Sequence, residues 1–206
     1  METAIHAVHP QIARRIGLAA GLLAALLLSG CGVNNIPSYD EAADAAWSQV
    51  LNQYQRRAEL IPNLVETVKG YAKHESDTLQ AVVEARAKVS QMKVPDDILS
   101  NPDAFKQFQA SQDALSGALS KLMVVVERYP DLKANQNFLA LQNQLEGTEN
   151  RIAVARRDYI EAVRRYNTEL RTYPGKWWHS LLYSEQQPKS NFTVSEEATQ
   201  LPSVKF

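Results

Sequence analysis

The chain has 206 residues, with 22 Lys and Arg against 23 Asp and Glu, a formal net charge of −1 and 45% hydrophobic residues. So even a balance excludes the basic surface on which nucleic-acid binding is built, and the apolar content suffices for one domain with a substantial core. The single cysteine, Cys31, forbids an intrachain disulfide, so stability has to come from packing.

At the N-terminus Arg14 and Arg15 precede an uncharged run rich in Leu and Ala, Ile16 to Leu28. As a helix this run extends only about 20 Å, short of the roughly 30 Å of a bilayer's hydrocarbon core. It leads into Leu28-Ser29-Gly30-Cys31, and the order of parts resembles the lipobox of a bacterial lipoprotein. The resemblance implies that residues 1–30 are a cleaved signal peptide, that a diacylglycerol is joined to the Cys31 sulfur, and that the new amine is acylated, as by palmitate. A thiolate is the nucleophile that thioether formation needs. The alternative is a buried free cysteine beside an uncleaved signal anchor. Gly32, rather than the aspartate associated with inner-membrane retention in enteric-type systems, occupies the second mature position. The expected location is therefore the periplasmic face of the outer membrane, with residues 31–37 as a lipidated tether.

From Ser38 to Pro174 only three glycines occur and apolar residues recur at helical spacing, which predicts an all-α bundle over 38–174. Ser38 and Glu41 form a capping box for a first helix. Its seam, in steps of four and three, is Trp47, Leu51, Tyr54, Ala58, Ile61, Val65, Val68, Ala72, Glu75, Leu79, Val82, Arg86 and Val89. At about 80 Å this helix is far longer than the others, and Pro62 is the expected kink because it removes the hydrogen bond to the Ala58 carbonyl. Asn101-Pro102 caps a second helix with a seam from Phe105 through Gln112 to Tyr129, ended by Pro130. A third helix starts between Asp131 and Asn135 and carries Phe138, Leu141, Leu145, Thr148, Ile152, Ala155, Tyr159, Ala162, Tyr166 and Tyr173, until Pro174-Gly175. Short connections make consecutive helices antiparallel neighbours in an elongated up-and-down bundle. Over 175–206 the period is lost: Trp177, Trp178, Leu181, Leu182 and Tyr183 read as a short amphipathic segment, and Gln186 onward as an extended tail.

The run Gln55-Arg56-Arg57-Ala58-Glu59-Leu60-Ile61-Pro62-Asn63-Leu64-Val65-Glu66 resembles the LemA family of bacterial membrane-associated helical proteins. His74-Glu75 with Arg86, Leu132-Lys133-Ala134-Asn135, Leu145-Glu146-Gly147-Thr148-Glu149-Asn150-Arg151-Ile152, Ala155-Arg156, Tyr159 and Tyr166-Asn167 extend the likeness over roughly residues 36–206. It implies an antiparallel four-helix bundle held at a membrane, three long helices plus a short one, with no established catalytic activity. Two features depart from the family's pattern: a lipobox in place of an uncleaved transmembrane helix, and Ile160 where an asparagine is expected.

Glu75 and Arg86 fall on seam positions that call for apolar residues, and Glu149, Arg151 and Arg156 cluster around the third seam. Charges inside a bundle must pair or reach water. These five residues are read as a polar layer that sets helix register or, on a functional reading, lines a binding groove. Glu75 is expected to face Arg151 or Arg156, and Arg86 a carboxylate on another helix or the solvent. No Glu-x-x-His occurs, and neighbouring His74 and Glu75 diverge around a helix, so no metal or other cofactor is expected. No catalytic set stands out. Tyr54, Tyr71, Tyr159 and Tyr166 read as aromatics at the core's rim, and Asn191-Phe192-Thr193 as a chance glycosylation sequon. The chain is expected to be a non-enzymatic, membrane-anchored scaffold or regulatory module of the cell envelope, in contact with lipid through Cys31 and with envelope proteins. The alternatives are a ligand-binding or catalytic bundle using the polar layer, or a directly membrane-active helical protein.

Overall fold

The computed structural model describes Arg15 and residues 32–193; the lipobox residues Leu28, Ser29, Gly30 and Cys31 lie outside the described residues. Six helices follow in order: α1 (Asn35–Tyr71), α2 (Ser76–Gln91), α3 (Pro102–Val126), α4 (Pro130–Lys133), α5 (Gln136–Glu169) and α6 (Gly175–Leu182). Helices α1, α2, α3 and α5 run up, down, up and down, the all-helical bundle that the apolar periodicity predicts. Helix α1 packs chiefly against α5, and α2 against α3 and α1.

The expected single helix from Ser38 to Val89 is in fact two, and the break falls at Ala72–Glu75 rather than at Pro62. The Ala72 amide closes on the Val68 carbonyl, the chain turns over, and α2 folds back along α1. A seam read from sequence passes straight through this turn, because both arms of the hairpin aim their apolar stripes at one core and Ala72, Glu75 and Leu79 keep the four-three spacing by coincidence. Pro62 stays inside a continuous helix. It does deprive the Ala58 carbonyl of its amide, and Arg86 on α2 takes that place, donating from Nε to the Ala58 oxygen at 3.0 Å. The arginine expected to seek a carboxylate or water thus closes the gap that the proline opens.

Helix α1 also starts earlier than its predicted capping box. Asn35 is already helical, Ser38 and Glu41 lie inside the helix, and no side chain caps its first turn. Ile36, fully buried against Tyr166 and Leu170, draws this turn inward, while Pro37 sits where helix amides have no partner to lose. By contrast Asn101 caps α3 as expected, accepting from the Ala104 amide at 3.1 Å. Asn135 does the same for α5, accepting from Phe138 at 3.1 Å, and its Nδ2 donates to the Tyr71 hydroxyl.

Helix α2 spans about 24 Å against about 55 Å for α1, so it covers only the upper half of the bundle. The turns after it and the extended segment following α6 fill the lower half. This segment climbs back from the base until Phe192 packs on Trp47, Phe105 and Tyr159, with ring centroids 6.2, 5.0 and 5.6 Å away. The predicted tail is therefore extended, but as far as Thr193 it forms a strap that completes the core.

Replacing Arg86 by Met is expected to lower stability by about 1–3 kcal/mol, the cost of a carbonyl left without a partner. In a Pro62→Ala background, where residue 62 recovers its amide, the same substitution should cost clearly less. Urea denaturation of the four proteins of this double-mutant cycle checks the coupling; equal costs in both backgrounds would contradict it.

Candidate functional site

The apolar interior has two main parts. The upper contains Ile61, Leu64, Leu115, Leu122 and Leu145; the lower contains Trp47, Tyr54, Phe105, Phe108, Ile152 and Tyr159. Between them lies one layer of polar side chains contributed by α1, α3 and α5. At its centre is Arg57, only 1% exposed. Its Nη1 donates to Ser116 Oγ at 2.7 Å and to Glu149 Oε1 at 3.0 Å. Its Nη2 donates to Gln112 Oε1 at 2.6 Å and to the Gln112 carbonyl at 3.3 Å. The guanidinium also lies 5.1 Å from the centre of the Tyr54 ring. A buried cation needs acceptors at its terminal nitrogens, and here α3 supplies three while α5 supplies the compensating charge; Nε is buried without a partner.

Sequence reading missed Arg57 because it followed the more apolar of two equally spaced paths. Trp47, Tyr54, Ile61 and Val68 belong to both, but the deepest intermediate positions are Val50, Arg57 and Leu64, not Leu51, Ala58 and Val65. The signal lay on α3: Gln112 occupies a seam position and is buried, and a side-chain amide there requires a donor or acceptor across the bundle, whereas the buried Thr148 hydroxyl is satisfied by the Gln144 carbonyl of its own helix.

Of the five residues predicted to form the layer, Glu149 alone joins Arg57. Arg86 lies at the same height on another face, bonded to Ala58. Glu75 is at the upper end, and its partner is neither Arg151 nor Arg156: Oε1 accepts from Arg128 Nη2 and from the Tyr129 hydroxyl, each at 3.0 Å. Arg128 and Tyr129 directly follow α3 beside the turn that holds Glu75, whereas Arg151 and Arg156 lie midway along α5. Arg151 reaches Thr148 Oγ1 at 3.4 Å, and Arg156 stacks over Phe192 at 4.3 Å. Ile160, at the expected asparagine position, is exposed. Beside the Arg57 layer, α3 and α5 stand apart and leave a groove of about 430 Å³, with Leu119, Met123 and Leu145 as apolar walls and Ser116, Glu146 and Glu149 along its polar side. Among the described residues no three His, Cys, Asp or Glu side chains gather as a metal site would require.

A second polar set holds the strap. Tyr159 donates to the Ser190 carbonyl at 2.7 Å, Tyr166 to Gln186 Oε1 at 2.8 Å, and Asn167 exchanges two hydrogen bonds with the Lys189 backbone. Lys189 Nζ meets Asp40 at 2.8 Å and Asp44 at 2.6 Å. Tyr159 and Tyr166 are buried outright rather than set at the rim, since the strap covers their hydroxyls. Burial first, then Asp44, raises the Tyr159 phenol well above its ordinary 10.0. Burial, then Asp40 and Asp44, does the same to Tyr166. For Lys189 burial pulls downward, but hydrogen bonds and charge from Asp40 and Asp44 outweigh it and hold the ammonium above its usual range.

The fold and these two sets define a class: a four-helix bundle whose distinctive polar residues tie helix to helix and strap to helix. The chain belongs to the LemA family, whose sequence profile matches residues 46–206. It is 26% identical over 187 residues to the magnetosome protein MamQ 2 of Paramagnetospirillum magneticum, covering 83% of this chain and 68% of that protein. It is 29% identical over 119 residues to the protein LemA of Metamycoplasma hominis, covering 58% of this chain and 50% of that one. With MamQ of Magnetospirillum gryphiswaldense the identity is 27% over 150 residues, 65% of this chain and 55% of the relative.

Within the Arg57 layer, Gln112→Leu should cost about 2–3 kcal/mol, because it strips a buried cation of its closest acceptor. Glu149→Gln should cost about 1 kcal/mol or less, since Glu149 is 41% exposed and water screens its charge. Urea midpoints that rank the two the other way would show that charge rather than hydrogen bonding sustains the layer. For the strap, the folded state holds its phenolic protons to higher pH than the unfolded chain does. That stabilisation is complete below the ordinary phenol value of 10.0 and is lost as the pH rises above it. The urea midpoint is expected to stay level up to about pH 9.5 and to fall beyond about pH 10, with Tyr166→Phe giving a shallower fall.

Proposed function

We propose that this LemA-family protein is a non-enzymatic scaffold of the bacterial cell envelope, fixed to the outer membrane through acylated Cys31 and presenting its helical faces to protein partners. The observation that carries this reading is the use of the family's polar residues. Arg57, Glu75, Arg86, Glu149, Tyr159, Tyr166 and Asn167 each make hydrogen bonds that tie one element of the bundle to another. Residues committed in this way build a rigid body rather than a reaction centre. The lipobox supplies the anchor, and among the described residues no helix is long and apolar enough to cross a membrane. The groove between α3 and α5 favours a second reading, in which a ligand or partner segment lies against Leu119, Met123 and Leu145 beside Glu149.

Cys31→Ala is expected to abolish incorporation of labelled palmitate and to leave an unprocessed precursor. Palmitate retained in that variant would overturn the anchor, and mature protein that fractionates wholly with the inner membrane would overturn its destination. Crosslinking in native membranes followed by pull-down should recover the same protein partners from wild type and from a Ser120→Glu, Met123→Ser variant, altered on the open side of the groove. Partners lost from that variant, with its helix content unchanged, would favour the groove.

A further inference from the structure

Helix α6 closes the base of the bundle and divides its aromatic residues between two environments. Trp178 turns inward against Ile36, Tyr166 and Leu170. Gly175 seats the helix so closely that a methyl group there would come within 2.3 Å of the Glu169 carbonyl, so no larger residue fits without shifting the backbone. The opposite side of the same segment is apolar and bare. Tyr173, Trp177 and Leu181, four residues apart, are 63%, 66% and 73% exposed, and Leu182 lies beside them. The Tyr173 and Trp177 rings meet edge to face at 4.9 Å, with Lys176 Nζ 5.8 Å from the centre of the Tyr173 ring.

The place of this stripe in the fold identifies what covers it. Gly32, the residue after Cys31, lies against Pro174: a Cβ built on it would sit 3.6 Å from the proline ring. Asn35 Nδ2 donates to Glu169 Oε1 at 3.1 Å, which secures the start of α1 at the same corner. Consecutive Cα atoms are only about 3.8 Å apart, so an acyl chain on Cys31 brings this corner to the lipid surface. A face of tryptophan, tyrosine and leucine beside a lysine suits the headgroup boundary, where amphipathic aromatic rings sit with one side apolar and the other wet.

We propose that Tyr173, Trp177 and Leu181 form a second membrane contact that enters the headgroup region beside the lipid anchor and holds the bundle end-on to the bilayer. The inference rests on the reading of Cys31 as the anchor. An acyl chain alone is a swivel; a second contact within a few residues of it fixes direction. Helix α1 then carries the Glu75–Arg128 end about 55 Å from the surface.

The test uses the full chain reconstituted in phosphatidylcholine vesicles that contain phosphatidylcholine brominated near the headgroup end of its acyl chains, with tryptophan emission as the readout. The three tryptophans are Trp47, buried in the lower core, inward-facing Trp178, and Trp177. Bromolipid should quench the wild type, and Trp177→Phe should reduce the quenched fraction at least twofold while helix content by circular dichroism stays constant. Leu181→Ser should lower quenching of the retained Trp177. Equal quenching of wild type and Trp177→Phe, or none in either, overturns the contact. Palmitate on the same preparation reports the anchor separately: lipidated protein whose Trp177 is unquenched sinks this inference alone, while Trp177-dependent quenching supports the contact whether or not palmitate is found.

Discussion

A guanidinium buried where an aliphatic side chain would ordinarily sit constrains the rest of the bundle. Arg57 leaves water only because Gln112, Ser116 and Glu149 arrive at the same height from two other helices. A slip of either helix by one turn, about 5.4 Å, would strand the charge, at a cost comparable with the whole stability of a small domain. Apolar surfaces above and below the layer are far less particular, because leucine packs against leucine in many registers. The layer therefore converts a general hydrophobic attraction into one alignment of α1, α3 and α5, and the separation of the two cores follows from it.

The pairing of Pro62 with Arg86 works by the same logic on a fourth helix. A proline in the middle of α1 leaves a carbonyl facing outward, and the only part of α2 that can satisfy it is a donor long enough to cross the helix interface. That hydrogen bond ties the hairpin α1–α2 at a defined height although its apolar seam is short. Where α2 stops, the strap takes over, held by Tyr159, Tyr166, Asn167 and Lys189. The polar residues by which this chain resembles its family are thus arranged along the bundle as successive fastenings, from Glu75 near the top through Arg57 to Tyr166 near the base.

Such a body suits a function of position. Arg57 and Lys189 are held by partners on neighbouring elements, its base carries the bare aromatic stripe of α6, and Gly32 enters at that same corner. Rigidity along the axis would transmit the orientation set at the base to surfaces far above it, and an arm whose helices could slide would not.

What the sequence determined by itself was whatever depends on neighbours close along the chain. Apolar residues at steps of three and four, the Asn101 cap, and the scarcity of glycine specify long helices, and short links make them antiparallel. The reversal at Ala72 stayed hidden because it preserves the spacing of the seam, so local pattern reads the same on either side of it. Tertiary structure alone decided which of two equivalent stripes on α1 faces inward, and hence that Arg57 rather than Ala58 lies at the centre. It also decided that Glu75 meets Tyr129 and Arg128 rather than an arginine of α5, and that the tail returns to cover Tyr159. Each of these outcomes joins residues dozens of positions apart. Their energy exists only once the helices have chosen heights relative to one another, which spacing within a single helix does not encode.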